Sequence, residues 1–445
     1  MKIYKNNFYS IIITSAIFFV FALNLSAGFN EKYEPPDGRI IHGLGQYFPV
    51  LYTDEENWQY VSAYQSTCNR IPVIYSAYKA IDSLLDLSDN TDLNDIISNH
   101  GYPYILLIGL SLFDTSSLHH NFNIPVENIL NGDCDPMIIK LAQEIKAIKG
   151  PVLLRPGFEF GSGNDGVHSD PDMSAAEFKL IWQHIYGLFN QRDVRNVAWV
   201  WNTVNPHLFN YLEWYPGDEY VDWWGINLFT SGQISNSEGF IDNAKLHSKP
   251  VIICESNPIQ NNGTNNSQNW TDWFVPYFNI IKSHINIKAF VYIDDPWDRG
   301  YWENWPDSRI SINTIISNNY RLEMTDSVYI HMSEFQENPE IIVGISNESM
   351  KQLKSSIQLQ NYPNPFNNQT RIAYALFNRC LVSWKIYSAN GQLLIDKKPV
   401  LQSPGNYYID LNLENITNQK LSSGVYYFHL INDQQTNIIR MLLIK

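Results

Sequence analysis

Pro151-Val-Leu-Leu-Arg-Pro-Gly-Phe-Glu159 and Lys249-Pro-Val-Ile-Ile-Cys-Glu255 are two short apolar runs that each end on a glutamate. Further apolar runs alternate along the chain with longer segments, and some of these, such as residues 136–149 and 175–189, carry apolar residues at helical spacing. Near-continuous apolar strands that alternate with helices are typical of a parallel sheet covered on both faces. Eight such units in about 290 residues predict a closed (β/α)8 TIM barrel, a fold of typically ~250 residues.

The strand count places both glutamates at one end of this barrel. An open doubly wound sheet is the alternative, but no glycine-rich phosphate fingerprint follows the first run. Glu159 then ends strand 4 and Glu255 ends strand 7, where barrel enzymes carry their chemistry. The predicted strands are Ile40–Gln46, Ile71–Tyr78, Tyr104–Ser111, Pro151–Phe160, Val197–Val204, Asp222–Phe229, Pro250–Pro258 and Ile287–Asp295.

Composition limits the class of ligand. The chain has 445 residues, enough for two or three domains, with a net charge of −15 and 14% aromatic residues. An acidic surface argues against nucleic acid, because phosphate binding requires basic side chains. An acidic, aromatic-rich protein suits a neutral polyhydroxylated ligand, since the CH faces of sugar rings pack on aromatic side chains. We expect a polysaccharide substrate, no nucleic acid and a monomer.

The N-terminal residues 1–27 predict a signal peptide. Lys2 and Lys5 precede an apolar run that ends near Ala27, and a retained membrane anchor is the alternative. No other stretch is long and apolar enough to span a bilayer. Four cysteines show no spacing of a disulfide framework or metal site, and strand alternation predicts that Cys254 points away from the pocket.

The C-terminal part differs from the barrel region, which we assign to residues 28–331. Residues 332–355 are polar and predict a linker, and residues 356–445 contain several short alternating strands. Two of these strands are joined at Asn390-Gly391, a strong hairpin signal. The segment therefore predicts a small C-terminal β-sandwich.

This β-sandwich resembles the C-terminal sorting domain of type IX secretion cargo. The resemblance rests on Asn361-Tyr-Pro-Asn-Pro-Phe-Asn367, Ile386-Tyr-Ser-Ala-Asn-Gly391, Ser422-Ser-Gly-Val-Tyr-Tyr-Phe428 and the final Arg440-Met-Leu-Leu-Ile-Lys445. It implies the type IX secretion machinery as a partner, export across the outer membrane, and a secreted or cell-surface location. An ordinary sugar-binding β-sandwich is the alternative, because fold alone does not give function.

The barrel region resembles glycoside hydrolase family 26 of clan A, whose members cut β-mannans and in some cases β-glucans or xylans. The matching residues are Arg155-Pro-Gly-Phe-Glu159, Trp199-Val-Trp201, Trp214-Tyr-Pro-Gly-Asp-Glu-Tyr-Val-Asp-Trp-Trp-Gly225 and Pro250-Val-Ile-Ile-Cys-Glu255. The resemblance implies that Glu159 is the acid/base and Glu255 the nucleophile, and it implies no metal or cofactor.

Two carboxyl groups of unequal charge state are what retaining glycoside hydrolysis needs, one protonated and one ionised. Arg155 lies four residues before Glu159 on the same strand face, so we expect it to point into the barrel and to keep Glu255 anionic. For either glutamate alone, a salt bridge at the barrel rim is the alternative interpretation.

Two positions depart from the family pattern. Family 26 usually has histidine before the acid/base and tyrosine late in strand 6, but this chain has Phe158 and Phe229 there. Loss of such hydrogen-bonding partners can reduce the rate by orders of magnitude. The possible substitutes are Asn202, Asn227, His168 and Tyr292.

Aromatic side chains at the predicted barrel mouth are candidate sugar platforms. Trp201 ends strand 5, while Trp297 and Trp302 lie in a polar loop after strand 8. With Arg155 and the possible substitutes Asn202, Asn227 and Tyr292, these residues form the predicted substrate-binding set.

Three functions are compatible with these features. The leading hypothesis is a secreted retaining β-glycoside hydrolase that acts on a plant or algal β-glycan, with β-mannan as the expected substrate. The second is a catalytically weak or inactive polysaccharide-binding barrel, which Phe158 and Phe229 favour. The third is a hydrolase outside polysaccharide chemistry, for which no Ser-His-Asp set or metal cluster is evident.

Overall fold

The computed structural model of the chain describes residues 28–45, 54–81, 105–112, 126–148, 150–160, 173–297, 305–344, 359–367, 369–376, 380–402, 405–413, 416, 421–432 and 435–445. The predicted signal peptide and residues 345–355 of the predicted linker lie outside these ranges. His168, Trp302 and the glycine-rich loop after Phe160 lie outside them too.

Eight parallel strands close into a barrel, as the alternation of apolar runs predicts. Each strand pairs with the next along the chain, and β1 pairs with both β2 and β8, so the sheet closes on itself. The strands are almost entirely buried, because the barrel interior and the surrounding helices cover both faces. They are β1 (Ile40–Gly45), β2 (Ile74–Ala80), β3 (Ile105–Ser111), β4 (Val152–Pro156), β5 (Val197–Thr203), β6 (Trp223–Leu228), β7 (Val251–Ser256) and β8 (Ile287–Ile293), with a short β9 (Tyr329–Ile330) beside β1.

Helices surround the barrel. The clearest example begins at Ser174, whose side chain and that of Glu177 cap each other's backbone N–H groups, and it buries an apolar stripe against the sheet. None of the helices in the described ranges is long and apolar enough to span a bilayer. The helices are α1 (Asp54–Cys68), α2 (Val126–Leu130), α3 (Asp135–Ala147), α4 (Ala175–Gln191), α5 (Ser231–Ser235), α6 (Glu238–Leu246), α7 (Val275–Ser283), α8 (Thr314–Glu323) and α9 (Met332–Glu337). A π-helical turn (Trp270–Phe274) precedes α7, and short 3-10 turns occur at Pro206–Leu208, Tyr211–Trp214, Asp218–Tyr220, Gly263–Asn265, Ile310–Ile312 and Pro339–Ile341.

The segment that precedes β1 packs against the barrel strands near their N-terminal ends. The indole N–H of Trp223, the first residue of β6, donates to the Lys32 carbonyl at 2.7 Å. Lys288, the second residue of β8, is fully buried and forms ion pairs with Asp37 at 2.6 Å and Glu34 at 3.5 Å. Because these contacts occupy the N-terminal ends of the strands, the functional pocket is left to the C-terminal ends.

The barrel domain extends beyond residue 331, where the sequence predicts the start of a linker. Met332, Phe335 and Ile342 are buried in the same apolar core as the strands. The backbone N–H of Tyr33 donates to the carbonyl of Val343 at 2.8 Å, which ties this segment to the start of the domain. The predicted boundary at 331/332 is therefore wrong. The segment is polar on average, but Met332, Phe335 and Ile342, in α9 and after the turn that follows it, are core residues of the barrel.

The C-terminal part forms two antiparallel sheets around a separate apolar core, as predicted for a small β-sandwich. Gly391 adopts a positive φ of 83° in the predicted hairpin turn, a conformation that suits glycine. One sheet has the order β10–β11–β14 and the other β13–β12–β15–β16. The strands are β10 (Leu359–Tyr362), β11 (Thr370–Leu376), β12 (Cys380–Ser388), β13 (Leu393–Gln402), β14 (Gly405–Leu411), β15 (Gly424–Asn432) and β16 (Gln435–Leu443).

The corrected boundary can be tested by core truncation at Phe335. We expect Phe335→Ala to lower the free energy of unfolding by about 3–5 kcal/mol, because a fully buried ring is removed from the barrel core. Urea unfolding followed by tryptophan fluorescence measures this, since every tryptophan except Trp384 precedes residue 306. Leu246→Ala, at an 81% exposed position, is the control. Equal effects of the two substitutions would mean that residues after 331 do not belong to the barrel core.

Candidate active site

Glu159 lies in a tight turn that follows β4, three residues beyond the end of the strand. Gly157 and Glu159 both adopt positive φ angles, 55° and 59°, and such a conformation costs a non-glycine residue about 1–2 kcal/mol. The Glu159 N–H donates to the Asn202 carbonyl at 2.9 Å, and Phe160 forms a bridge to Thr203, so β5 holds the turn in place. Strain of this kind concentrates at functional sites, where it orients a side chain.

The two phenylalanines that flank Glu159 point in different directions. Phe158 is buried beside Arg155, and Phe160 stacks on Trp201 at a ring-centroid distance of 4.9 Å. The sequence predicts a strand that continues to Phe160, with both rings turned away from Glu159 by alternation. The strand ends at Pro156 instead, and the turn separates the two rings.

Glu255 lies in β7 at a bulge. From Ile253 to Glu255 the strand advances by two residues while β6 advances by one, and from Ile253 to Ser256 it advances by three while β8 advances by two. The extra residue in β7 interrupts the alternation of its side chains. Alternation predicts that Cys254 points away from the pocket. The bulge reverses this, and the Cys254 side chain points into the barrel. A β-carbon at Gly225 would come within 2.7 Å of the Cys254 sulfur and 2.9 Å of the Asn202 β-carbon, which places the thiol inside the barrel.

The Glu255 carboxylate accepts two hydrogen bonds at one oxygen. Arg155 Nη1 donates to Oε1 at 2.8 Å, and the Tyr78 hydroxyl donates to the same atom at 2.9 Å. Arg155 is fully buried and Glu255 almost so. A buried guanidinium requires a buried anion close by, because removal of either partner leaves an uncompensated charge at a cost of about 3–5 kcal/mol.

A chain of hydrogen bonds joins this ion pair to Glu159. Arg155 Nη1 also donates to Asn202 Oδ1 at 2.9 Å, Asn202 Nδ2 donates to Asn227 Oδ1 at 3.1 Å, and Asn227 Nδ2 donates to Glu159 Oε1 at 2.7 Å. Arginine has only donors, so each asparagine must accept with its oxygen and donate with its nitrogen. The direction of every bond from Arg155 to Glu159 follows from that one group.

The two glutamates differ in their electrostatic surroundings. Burial, and then the negative charge of Glu255, raise the pKa of Glu159 to about 8, although Asn227 and Arg155 act in the opposite direction. Burial lowers the pKa of Arg155, but the charge and hydrogen bond of Glu255, together with Cys254 and Tyr78, raise it by more, so the guanidinium stays positive. At neutral pH Glu159 is therefore protonated, while the positively charged Arg155 forms an ion pair with Glu255.

Two predicted substrate contacts are contradicted by the structure. Trp201 has no exposed surface and packs among Phe160, Tyr215 and Trp224, between the barrel and its outer layer. Tyr292 is fully buried as well, and its hydroxyl donates to the Ser308 carbonyl at 2.6 Å. Along each strand alternate side chains face outward, and both residues occupy outward positions.

Of the other predicted substrate contacts, the two asparagines face the barrel interior and Trp297 is buried. Asn202 and Asn227 face the interior and take part in the chain between the glutamates. Trp297 is buried in an aromatic cluster with Phe229 and Trp305, with Phe229 and Trp305 edge to face at 5.0 Å. The apolar surroundings of Phe229 account for a ring without a hydroxyl at this position.

Tyr78 contacts Glu255 in the structure but was not predicted from the sequence as a site residue. The predicted second strand ends at Tyr78, so the position argument that selected Glu159 and Glu255 also applies to it. Gly109 is a second such residue. A β-carbon there would come within 2.9 Å of both the Tyr78 and the Phe158 ring, so glycine makes room for the pair.

Metal binding has no support in the described part of the chain, where no group of three or more His, Cys, Asp or Glu side chains could hold an ion. All four cysteines lie in the described ranges, are buried and form no disulfide. Burial raises the pKa of Cys254 to about 12, so it remains a neutral thiol below Glu255.

A closed (β/α)8 barrel with two linked glutamates at its C-terminal strand ends is an architecture of glycoside hydrolases. Residues 105–288 match the model of glycosyl hydrolase family 26, and residues 360–445 match that of the secretion system C-terminal sorting domain. The barrel is therefore similar to glycosyl hydrolase family 26 over residues 105–288, and the C-terminal β-sandwich matches the sorting domain of type IX secretion cargo. The sorting domain directs export across the outer membrane, so the protein is secreted or attached to the cell surface.

Curated relatives cover two thirds of the chain. The β-1,3-xylanase TXYA of a Vibrio species is 27% identical over 338 residues, which is 67% of this chain and 68% of that protein. A β-1,3-xylanase of an Alcaligenes species is 26% identical over 337 residues, which is 67% of each chain. An endo-β-1,4-mannanase structure from Cellulomonas fimi covers 92% of this chain and 94% of its own at a TM-score of 0.50 and 12% identity, a likeness of fold alone.

The raised pKa of Glu159 has a consequence for stability. A carboxyl group whose folded pKa lies near 8, above an unfolded value of about 4.3, destabilises the fold increasingly as pH rises between those values, because only the unfolded state readily releases the proton. We expect Glu159→Gln to raise the melting temperature relative to the unmodified chain, by an amount that grows from about pH 5 to about pH 8. Glu219→Gln, at an exposed position, is the control, and a difference independent of pH would contradict the raised pKa.

Proposed function

We propose that this protein hydrolyses a β-glycan with retention of anomeric configuration, with Glu159 as acid/base and Glu255 as nucleophile. The observation that carries the proposal is the unequal environment of the two glutamates. Glu159 is placed to hold a proton at neutral pH, while Glu255 accepts hydrogen bonds from Arg155 and Tyr78, as a carboxylate does.

The reaction follows from these charge states. Glu159 gives its proton to the leaving glycosidic oxygen while a Glu255 carboxylate oxygen forms a bond to the anomeric carbon, which yields a covalent glycosyl-enzyme. Glu159, now ionised, takes a proton from water as that water attacks the same carbon. The bond to Glu255 breaks, Glu255 regains its charge and Glu159 is protonated again.

The asparagine chain supports this cycle. Glu159 changes its charge twice in each turnover, and Asn227 donates to it throughout. Because Asn227 is fixed through Asn202 to Arg155, the Glu159 carboxyl keeps its position in both charge states. Preorganised donors of this kind need no rearrangement during the reaction.

β-1,3-Xylan is the substrate we propose first. The support is the similarity to two β-1,3-xylanases, from a Vibrio and an Alcaligenes species, that match two thirds of the chain. β-Mannan, the substrate expected from the family resemblance, remains the second candidate, and the mannanase structure from Cellulomonas fimi supports it through the fold alone. Both polymers are neutral, in keeping with a net charge of −15.

The test is release of reducing sugar by the full chain from β-1,3-xylan, β-mannan, β-1,4-xylan and mixed-linkage β-glucan. We expect release from β-1,3-xylan. Glu159→Ala should reduce the rate by about 100- to 10,000-fold, the usual contribution of a general acid/base, and Glu255→Ala should abolish it. Binding of one polymer without release by the unmodified chain would indicate a polysaccharide-binding barrel instead.

Stereochemistry gives an independent test of the mechanism. Double displacement predicts that the first product carries the anomeric configuration of the substrate, which proton NMR detects before mutarotation. Added azide should partly rescue Glu159→Ala and give a β-glycosyl azide, because azide needs no general base. An inverted first product would exclude Glu255 as the nucleophile of a covalent step.

The Asn227 hydrogen bond should set the alkaline limit of activity. Asn227 lowers the pKa of Glu159, so its removal raises that pKa further. Activity requires protonated Glu159, and we therefore expect the alkaline limb of the kcat/KM profile near pH 8 to move upward in Asn227→Ala. Asn243→Ala, which removes an amide bonded to Tyr211 on the outer layer, is the matched control. An unchanged or lowered limb would contradict the role of Asn227.

A further inference from the structure

The hydroxyl on the Glu255 carboxylate comes from β2, on the opposite side of the barrel from the end of β6. Tyr78 donates to Oε1 at 2.9 Å, the oxygen that also accepts from Arg155 at 2.8 Å. At the end of β6, Phe229 has no hydroxyl and packs on Trp305. Tyr78 is partly exposed, so its ring lines the pocket while its hydroxyl reaches Glu255.

The chemistry of the groups sets the direction of this hydrogen bond. Burial, followed by the charge of Glu255, raises the pKa of Tyr78 well above its usual value, so the hydroxyl stays protonated wherever the protein is folded. An ionised carboxylate can only accept, and the Tyr78 hydroxyl must therefore donate.

Contacts with Phe158 and Arg155 fix the position of Tyr78. Its ring lies 5.5 Å from that of Phe158, and the Arg155 guanidinium lies 5.5 Å from the Tyr78 ring and 4.8 Å from the Phe158 ring. Gly109 on β3, between their strands, leaves the space that both rings occupy. Phe158, directly before Glu159, thus supports a side chain that binds Glu255.

We propose that Tyr78 is a positioning residue for Glu255, which orients the attacking carboxylate and stabilises it when it leaves the sugar. The proposal rests on the proposed function, because it assigns Tyr78 a part in the same reaction. In the glycosyl-enzyme, Glu255 is an ester and a weak acceptor. As the ester bond breaks, the electron pair returns to the carboxylate and the Tyr78 hydrogen bond strengthens. Breakdown of the intermediate should therefore depend on Tyr78 more than its formation does.

Kinetics of Tyr78→Phe test this role on whichever polymer the unmodified chain hydrolyses. A hydrogen bond to a charged group contributes about 1.5–3 kcal/mol, so we expect kcat to fall about 10- to 100-fold. Because breakdown slows more than formation, KM should fall with kcat, and kcat/KM should change less. A loss of packing alone would not lower KM.

The pH profile supplies a second kinetic measurement. Among the residues that the structure describes, the titratable groups around Glu255 include Arg155 and Glu159 from the β4 side, Tyr78 from β2 and the neutral thiol of Cys254 on its own strand. Tyr78→Phe removes a donor to Glu255 and leaves the Asn227 hydrogen bond to Glu159 intact. The alkaline limb, which depends on Glu159, should stay in place.

Tyr329→Phe is the matched control. The Tyr329 hydroxyl also donates to a glutamate in a partly buried hydrogen bond, Glu323 Oε1 at 2.6 Å, but Tyr329 pairs with Ile40 at the start of β1. The same atom and the same kind of bond are lost there, away from Glu255. We expect Tyr329→Phe to lower stability and to leave kcat, KM and the pH profile unchanged.

A double-mutant cycle separates this proposal from the proposed function, because it needs no substrate. Melting temperatures at pH 7 are compared for Tyr78→Phe, Glu255→Gln and the double variant of the full chain. We expect the loss from Tyr78→Phe to shrink in the Glu255→Gln background, since a neutral amide is a weaker acceptor. The cycle of Tyr329→Phe with Glu255→Gln should be additive.

The outcomes are distinguishable. Additive effects in the Tyr78 cycle, or kinetics of Tyr78→Phe equal to those of Tyr329→Phe in an enzyme that Glu255→Ala inactivates, would overturn the role of Tyr78 and leave the proposed function intact. Coupling in the cycle without hydrolysis of any polymer would overturn both the proposed function and the reaction role of Tyr78. Coupling together with lowered kcat and KM would establish the role.

Discussion

The buried guanidinium of Arg155 is the constraint on which the site depends. A charged group without solvent contact is tolerated only with an anion beside it and acceptors for its protons. Glu255 supplies the anion and Asn202 a second acceptor, and both accept a hydrogen bond from Arg155 Nη1. Because the guanidinium is rigid and has only donors, its position fixes which way each neighbouring polar group must face.

Glycine residues make room for the polar side chains in the barrel interior. We call these side chains, Arg155, Asn202, Asn227, Cys254 and Glu255, with the Tyr78 and Phe158 rings beside them, the polar layer. Gly225 leaves room for the Cys254 sulfur and the Asn202 side chain, and Gly109 leaves room for the Tyr78 and Phe158 rings. Any side chain at these positions would displace a member of the layer, because its β-carbon would approach within 3 Å of them. The interior therefore combines large polar or aromatic groups on some strands with glycine on the strands between them.

The sequence was sufficient for the order of the strands and for the location of both glutamates at or just after the C-terminal ends of β4 and β7. These features depend on apolar periodicity and on strand ends, which are local in the sequence. It was insufficient where a single residue changes the parity of a strand. The bulge at β7 turns Cys254 inward, and the end of β4 at Pro156 separates Phe158 from Phe160. Trp201 and Tyr292 were assigned to the pocket although strand parity places them outside it. Which face of a strand a side chain occupies depends on how that strand pairs with its neighbours. That pairing cannot be read from the local sequence.

One cation acting on two carboxyl groups explains how they can differ in charge. Arg155 donates a hydrogen bond to Glu255 directly, whereas the amides of Asn202 and Asn227 lie between it and Glu159 in the chain of hydrogen bonds. The direct contact compensates the burial of a charge on Glu255, whereas the relayed contact leaves the burial of Glu159 largely uncompensated, and its pKa rises to about 8. The asymmetry of the hydrogen-bond chain is therefore the physical basis for separating an acid from a nucleophile in one pocket.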